Sequence, residues 1–195
     1  MNQIELEKIK KEALEEHIPI LMDDTLSYIK ELLKEKQIEN LLEIGTAVGY
    51  SAICFTELLK ESGYIDTIER EHDRVVQAKE NIKKAGVEGK IQIYEGDAVE
   101  LLPTFTKCYD VVFIDAAKGK YPFFLEQAIR LTKTGSIILA DNILYKGYVM
   151  SDYNKHKQRT AVRNLREYIK LTTENPMLET KILEIGDGLA VSIRK

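Results

Sequence analysis

Asp115, Asp141 and Asn142 each stand at or just beyond the end of a short apolar run. Two carboxylates and one amide oxygen, brought together from adjacent strand ends, suit a hard divalent cation. Mg²⁺ prefers oxygen ligands and usually leaves positions for water and substrate. Lys118 follows closely, in Asp115-Ala116-Ala117-Lys118-Gly119. Beside a divalent cation an amine gives up its proton more readily, which suits Lys118 to general-base work. The ordinary alternatives are a polar turn for Asp141-Asn142 and a solvated loop lysine for Lys118. His17, His72 and His156 are scattered and expected to be exposed, so no zinc cluster is indicated.

A second set of residues suits a nucleoside-like ligand. Leu41-Leu42-Glu43-Ile44-Gly45-Thr46-Ala47-Val48-Gly49-Tyr50-Ser51 reads as a strand, a tight glycine turn and the start of a helix. Gly45 lets the backbone turn sharply and approach a ligand, and a helix N-terminus offers free N–H groups. The spacing Glu-x-Gly-x-x-x-Gly departs from the G-x-G-x-x-G of dinucleotide sites, which disfavours a nicotinamide-dependent oxidoreductase. Glu69 closes the next strand, where an acid accepts both hydrogen bonds of a ribose diol. Gly96-Asp97-Ala98 follows the third strand, and the Asp97 carboxylate either reaches an adenine amine or caps a helix.

These positions need a scaffold of alternating strands and helices. Helical spacing covers residues 4–16, Pro19 breaks it, and a second helix runs over about 24–36. Strands are expected at 40–44, 64–68, 90–94, 110–114 and 136–140. Helices are expected at 50–60, 73–84, 98–102, 122–131 and 157–173. Two last strands, 178–184 and 188–193, flank a turn at Gly186-Asp187-Gly188. Apolar strands alternating with helices imply an α/β fold, a parallel sheet covered on both faces, and the hairpin adds one antiparallel strand. Ligands of such sheets bind beyond the carboxyl ends of the strands, where the residues above lie. One domain is expected over 1–195, with a helical lead at 1–36 and a core at 37–195. The lead is too short for a core of its own and is expected on the sheet or on a partner subunit.

The 195 residues are 44% hydrophobic and 31% charged, with a net charge of −4. No global basic field recruits nucleic acid, so a nucleic-acid partner would need a local patch. Lys146, Lys155, Lys157, Arg159, Arg163 and Arg166, with Tyr145, Tyr148 and Tyr153 among them, form such a patch or a solvated helix face. Cys54 and Cys108 lack metal-type spacing and read as two buried thiols. The first residues lack the basic-then-apolar form of a signal peptide, and no apolar run spans a bilayer. A cytoplasmic protein with no membrane partner is expected.

Four blocks together resemble the Mg²⁺-dependent, catechol-type O-methyltransferases, which use S-adenosyl-L-methionine (AdoMet) on a Rossmann-like class I fold. They are Glu43-Ile44-Gly45-Thr46-Ala47-Val48-Gly49-Tyr50-Ser51, Phe113-Ile114-Asp115-Ala116-Ala117-Lys118, Ala140-Asp141-Asn142 and Gly186-Asp187-Gly188-Leu189-Ala190. The resemblance runs from about His17 to the C-terminus. Within that family, Glu16-His17-Ile18-Pro19-Ile20, Thr67-Ile68-Glu69-Arg70 and Asp141-Asn142-Ile143-Leu144-Tyr145-Lys146-Gly147 are most similar to the bacterial branch that methylates 5-hydroxyuridine in tRNA.

The resemblance implies a seven-stranded, mostly parallel sheet and a homodimer. It implies that Glu43, Gly45 and Ser51 line the methionine end of AdoMet and that Glu69 holds its ribose. Gly96, Asp97 and Ala98 would face the adenine, Ile20 and Leu21 would close over the cofactor, and Asp115 would border it. Asp115, Asp141 and Asn142 would bind Mg²⁺ or another divalent cation, with Lys118 and Asp115 catalytic. The helical lead is shorter than is usual in that branch, where it helps form dimer and substrate surfaces. The implied substrate is tRNA, with small catechol-like phenols as the alternative and a non-catalytic RNA-binding module as a weaker one.

Overall fold

The computed structural model describes residues 2–152 and 158–195. Seven strands run in the order β3-β2-β1-β4-β5-β7-β6, with helices packed around them. The chain divides into two compact units, the first ending at Leu101 and the second starting at Leu102.

The first unit carries α1 (Gln3–Glu15), α2 (Asp23–Leu33), β1 (Ile38–Ile44), α3 (Tyr50–Phe55), β2 (Leu59–Glu69), α4 (His72–Ala85), β3 (Ile91–Glu95) and α5 (Ala98–Leu101). β1 pairs β2 and β2 pairs β3, both parallel. Leu41, Leu42, Glu43 and Ile44 of β1 are all buried, the continuous burial of an inner parallel strand. Leu6, Ile9 and Ala13 form the buried face of α1, and Asn2 caps its start by accepting from the Glu5 N–H. α1 packs on α3 and α4. These contacts seat the first helix of the lead on helices of its own chain.

The helix expected at 50–60 is shorter than the sequence suggested. α3 ends at Phe55, one 3₁₀ turn follows, and β2 already begins at Leu59. The Thr56 hydroxyl bonds back to the Ile53 carbonyl at 2.7 Å, which competes with helix continuation. Beyond it, Leu59 pairs with Ile38 across a bulge. Lys90 Nζ ties down the carbonyls of Lys60 (3.1 Å) and Glu61 (2.7 Å). A Cβ on Gly63 would come within 2.9 Å of the Ile38 carbonyl, so the bulge needs a glycine there.

The second unit carries β4 (Tyr109–Ile114), α6 (Tyr121–Arg130), β5 (Thr132–Ala140), α7 (Arg159–Thr173), β6 (Leu178–Leu183) and β7 (Leu189–Arg194). β4 and β5 are parallel, while β7 is antiparallel to both β5 and β6. The C-terminal hairpin therefore supplies the one antiparallel strand, as the sequence suggested. β5 starts earlier than expected, because Thr132 pairs with Tyr109 and Gly135, at φ 88°, absorbs the register shift before Ile137. The helix expected from residue 157 begins at Arg159, and Lys157 lies outside the described residues. Cys54 is buried, but Cys108 is exposed in the segment before β4, correcting the expectation of two buried thiols. No described helix is long and apolar enough to cross a membrane.

Candidate active site

In the first unit the chain turns sharply after β1. Gly45 has φ 105° and Gly49 φ 83°, and the Gly45 and Thr46 N–H groups bond the Ile68 carbonyl at the end of β2. Beneath the turn lies a buried carboxylate. Glu43 is fully shielded, and it accepts Ser51 Oγ on one oxygen and Thr67 Oγ1 on the other, both at 2.5 Å. The Thr67 and Thr46 hydroxyls lie 2.6 Å apart, which extends the network into the turn. A charge out of water needs such donors on each oxygen. Thr46 and Thr67 were not singled out in the sequence. A hydroxyl one strand away from a buried acid leaves no spacing signal.

Glu69, at the end of β2, accepts the Ala47 N–H on Oε2 (2.8 Å) and the Arg70 and Glu71 N–H groups on Oε1 (2.9 and 3.0 Å). Its carboxylate is held in one pose and keeps lone pairs for a diol. The Gly96 N–H bonds the Glu69 carbonyl at 2.8 Å. Asp97 is exposed and caps α5 by accepting the Val99 N–H at 2.8 Å, and Ala98 opens that helix. The capping role is thus real, and the other Asp97 oxygen is not drawn into that cap. Ile20 and Leu21 lie in the link between α1 and α2, Ile20 half-buried and Leu21 buried.

The second unit gathers the other predicted residues into one cluster. Asp115 follows β4 directly, Lys118 opens a 3₁₀ turn, and Asp141-Asn142 follow β5. Lys118 Nζ donates to Asn142 Oδ1 at 3.0 Å and stands 3.7 Å from Asp115 Oδ1. The Asn142 N–H donates to Asp141 Oδ1 at 2.7 Å. Asn142 takes a left-handed φ of 55°, which asparagine tolerates better than most residues.

Burial pushes the Asp141 carboxyl up to about 7, the neighbouring Asp115 charge adds to this, and the Asn142 N–H and Lys118 oppose it. Desolvation also raises Asp115, against the pull of Lys118. Asp141, disfavoured as an anion by burial and by the Asp115 charge and relieved by Lys118, marks a place where added positive charge is favourable. The described residues hold no group of three or more His, Cys, Asp or Glu side chains able to bind a metal. The oxygens here that could hold a cation are those of Asp115, Asp141 and the Asn142 amide. Three hard oxygens fit Mg²⁺ chemistry.

The loop after Asn142 is held from the far hairpin. The Ile143 N–H bonds the Gly188 carbonyl and the Leu144 N–H bonds the Asp187 carbonyl, each at 3.0 Å. Asp187 Oδ1 also accepts the Lys146 N–H at 2.5 Å. A Cβ on Gly188, whose φ is 91°, would fall 2.8 Å from Leu144 Cβ. The turn at Gly186-Asp187-Gly188 thus does more than join two strands.

The O-methyltransferase family model matches residues 1–195. A catechol O-methyltransferase of Niastella koreensis is 32% identical over 168 residues, covering 82% of this chain and 75% of that protein. A caffeoyl-CoA O-methyltransferase of Medicago sativa is 31% identical over 181 residues, covering 88% and 73%. Among solved structures, an O-methyltransferase from Bacillus cereus in complex with SAH superposes with a TM-score of 0.89 at 25% identity, covering all of this chain and 92% of that one. A sheet of this order, with acids and a lysine at its strand ends, is that of a Rossmann-like methyltransferase. The chain belongs to the O-methyltransferase family.

Proposed function

We propose that this chain transfers a methyl group from AdoMet to an acceptor with two neighbouring oxygens, held with a divalent cation, Mg²⁺ first among them. The observation that carries this reading is Lys118 Nζ shared between Asn142 Oδ1 and Asp115 Oδ1, beside buried Asp141. AdoMet supplies the methyl on an activated sulfonium, so the protein's task is positioning and deprotonation. A divalent cation, when bound, supplies Lewis acidity that lowers the pKa of an acceptor hydroxyl.

The residues then divide the work. Asp115, Asp141 and Asn142 present the oxygens that hold the cation. Lys118 receives the acceptor's hydroxyl proton. In the first unit, Glu69 holds the ribose diol of the donor, and Asp97 and Ala98 border its adenine. The glycine turn and Ser51, kept in place by Glu43, border its methionine end, with Ile20 and Leu21 alongside.

The acceptor we propose is 5-hydroxyuridine in the anticodon loop of tRNA, giving 5-methoxyuridine. Its 5-hydroxyl and O4 are two neighbouring oxygens, and a loop base can be splayed out for chemistry. The blocks shared with the tRNA-modifying branch support this reading. So do Tyr145 and Tyr148, whose rings meet edge-on at 5.9 Å beside exposed Lys146, and exposed Arg159 and Arg163 on α7. Lys155, Lys157 and Tyr153 of that basic and aromatic stretch lie outside the described residues. A second reading, small catechols, is favoured by the catechol and caffeoyl-CoA O-methyltransferases among the relatives.

Labelled AdoMet, tRNA from cells lacking this gene, Mg²⁺ and a chelator test all parts together. Chelator-sensitive label at 5-hydroxyuridine is the expected result. Label on catechol with none on tRNA transfers the function to small phenols. Label unaffected by chelator removes the cation. We also propose a homodimer, as the family resemblance implies, and a monomer mass by light scattering would overturn that.

A further inference from the structure

Tyr121 has no part in the chemistry above, yet it sits beneath it. It opens α6, and its side chain is fully buried. Its hydroxyl donates to the Asp141 carbonyl at 2.8 Å, with the Ile114 carbonyl a second acceptor at 3.4 Å. Those carbonyls belong to the residue just beyond β5 and the last residue of β4, immediately before Asn142 and Asp115. The Asp141 N–H bonds the same Ile114 carbonyl at 3.0 Å. Lys118 Nζ lies over the ring, 5.9 Å from its centroid, within range of a cation–π contact. Tyr168 of α7 fixes the ring from below, edge-on at 5.5 Å.

We infer that Tyr121 is a positioning residue for this site: its hydroxyl sets the spacing of the Asp115 and Asp141 loops, and its ring seats Lys118. One side chain thereby aligns both cation-holding loops and the lysine between them. The physical need is clear. Two carboxylates close to each other repel, and without a cation only local bonding keeps their loops in register. A residue that orients ligands in this way governs metal affinity without touching the metal. The inference rests on the cation site proposed above.

The test uses the full chain and Mn²⁺ as probe, titrated by calorimetry, with a thermal melt and methyl transfer measured beside it. Tyr121→Phe keeps the ring and loses the hydroxyl. It is expected to melt cooperatively and to bind Mn²⁺ about tenfold more weakly or worse, with a matching fall in kcat. Tyr121→Leu, which also removes the ring, is expected to weaken Mn²⁺ at least as much. Phe124→Leu, in the same core, is the control for mere stability, since Phe124 is buried and its ring meets those of Phe123 and Tyr121, with centroids 6.0 and 6.4 Å away. Wild-type affinity for Mn²⁺ in Tyr121→Phe overturns the inference, as does an equal loss in Phe124→Leu. No Mn²⁺ binding by the wild-type protein overturns the cation reading and the inference with it, and the wild-type titration tells the two failures apart.

Discussion

Lys118 Nζ donates to Asn142 Oδ1 at 3.0 Å while standing 3.7 Å from Asp115 Oδ1. The lysine of one strand-end loop is thus bonded to the amide of the next. Held this way, the Lys118 amine lies beside Asp115 and the Asn142 amide, and in the proposed reaction it takes up the acceptor's hydroxyl proton. Lys118→Met keeps an unbranched chain out to Cε and removes the amine. Its kcat is expected to fall by about 10²- to 10⁴-fold, the usual range for a positioned general base. The AdoMet affinity, measured by calorimetry, is expected to stay within about twofold, as a residue acting on the acceptor alone implies. A variant with wild-type kcat would remove Lys118 from the mechanism.

The carboxylate buried under the glycine turn gives a second prediction. Thr67→Val is close to isosteric and takes one hydroxyl from Glu43, leaving Oε2 without that donor. A buried charge short of a partner costs about 1.5–3 kcal/mol. The melting temperature should fall accordingly, and AdoMet binding should weaken because Thr46 loses its neighbour in the turn. An unchanged melt would mean that the Thr67 hydroxyl contributes nothing to holding Glu43.

Gly188 should be the least replaceable glycine of the C-terminal hairpin. Gly188→Ala combines a left-handed φ of 91° with overlap against Leu144. Overpacking and backbone strain each cost about 1–3 kcal/mol. Thermal stability and methyl transfer should both drop, because the loop leaving Asp141-Asn142 is displaced. Adding Leu144→Ala should restore part of the loss, since it removes the overlapping Cγ and Cδ1 and leaves the Cβ contact and the strain. A double variant no better than the single one would show that the overlap with the outer Leu144 atoms contributes nothing.

The two thiols should separate cleanly by reactivity. Burial pushes the Cys54 thiol up to about 12, against the opposing influence of Lys30 and a hydrogen bond with Tyr50. A thiol raised in the folded state reacts poorly at pH 8, because the thiolate is the nucleophile. Native protein treated with a disulfide reagent at pH 8 should lose one thiol, Cys108, and protein in urea should lose two. Fast labelling of both in the native state would show that the core around Cys54 opens.

Much of the architecture is written locally in the chain. Continuous apolar runs mark inner strands, 3.6-residue spacing marks the helices, and Gly45 and Gly49 mark the turn, because these signals need only neighbouring residues. The acids and the lysine at strand ends were legible for the same reason, since an α/β sheet directs ligands there. The end of α3 was not legible. Leu59 and Lys60 suit a helix on their own, and the pairing of Leu59 with Ile38 and the Lys90 bond to the Lys60 carbonyl draw them into β2.

What the sequence by itself determined is the class of fold and the identity of the chemical groups at the strand ends. Tertiary structure alone decided how those groups are held: Thr67 against Glu43, Tyr121 against Asp141, and Gly188 against Leu144. Each is a contact between residues distant in the chain, set by packing geometry, and no periodicity or spacing encodes it. Asp97 shows the division in one side chain. Its type and place suggest both a cap and a ligand contact, and the fold shows the cap made.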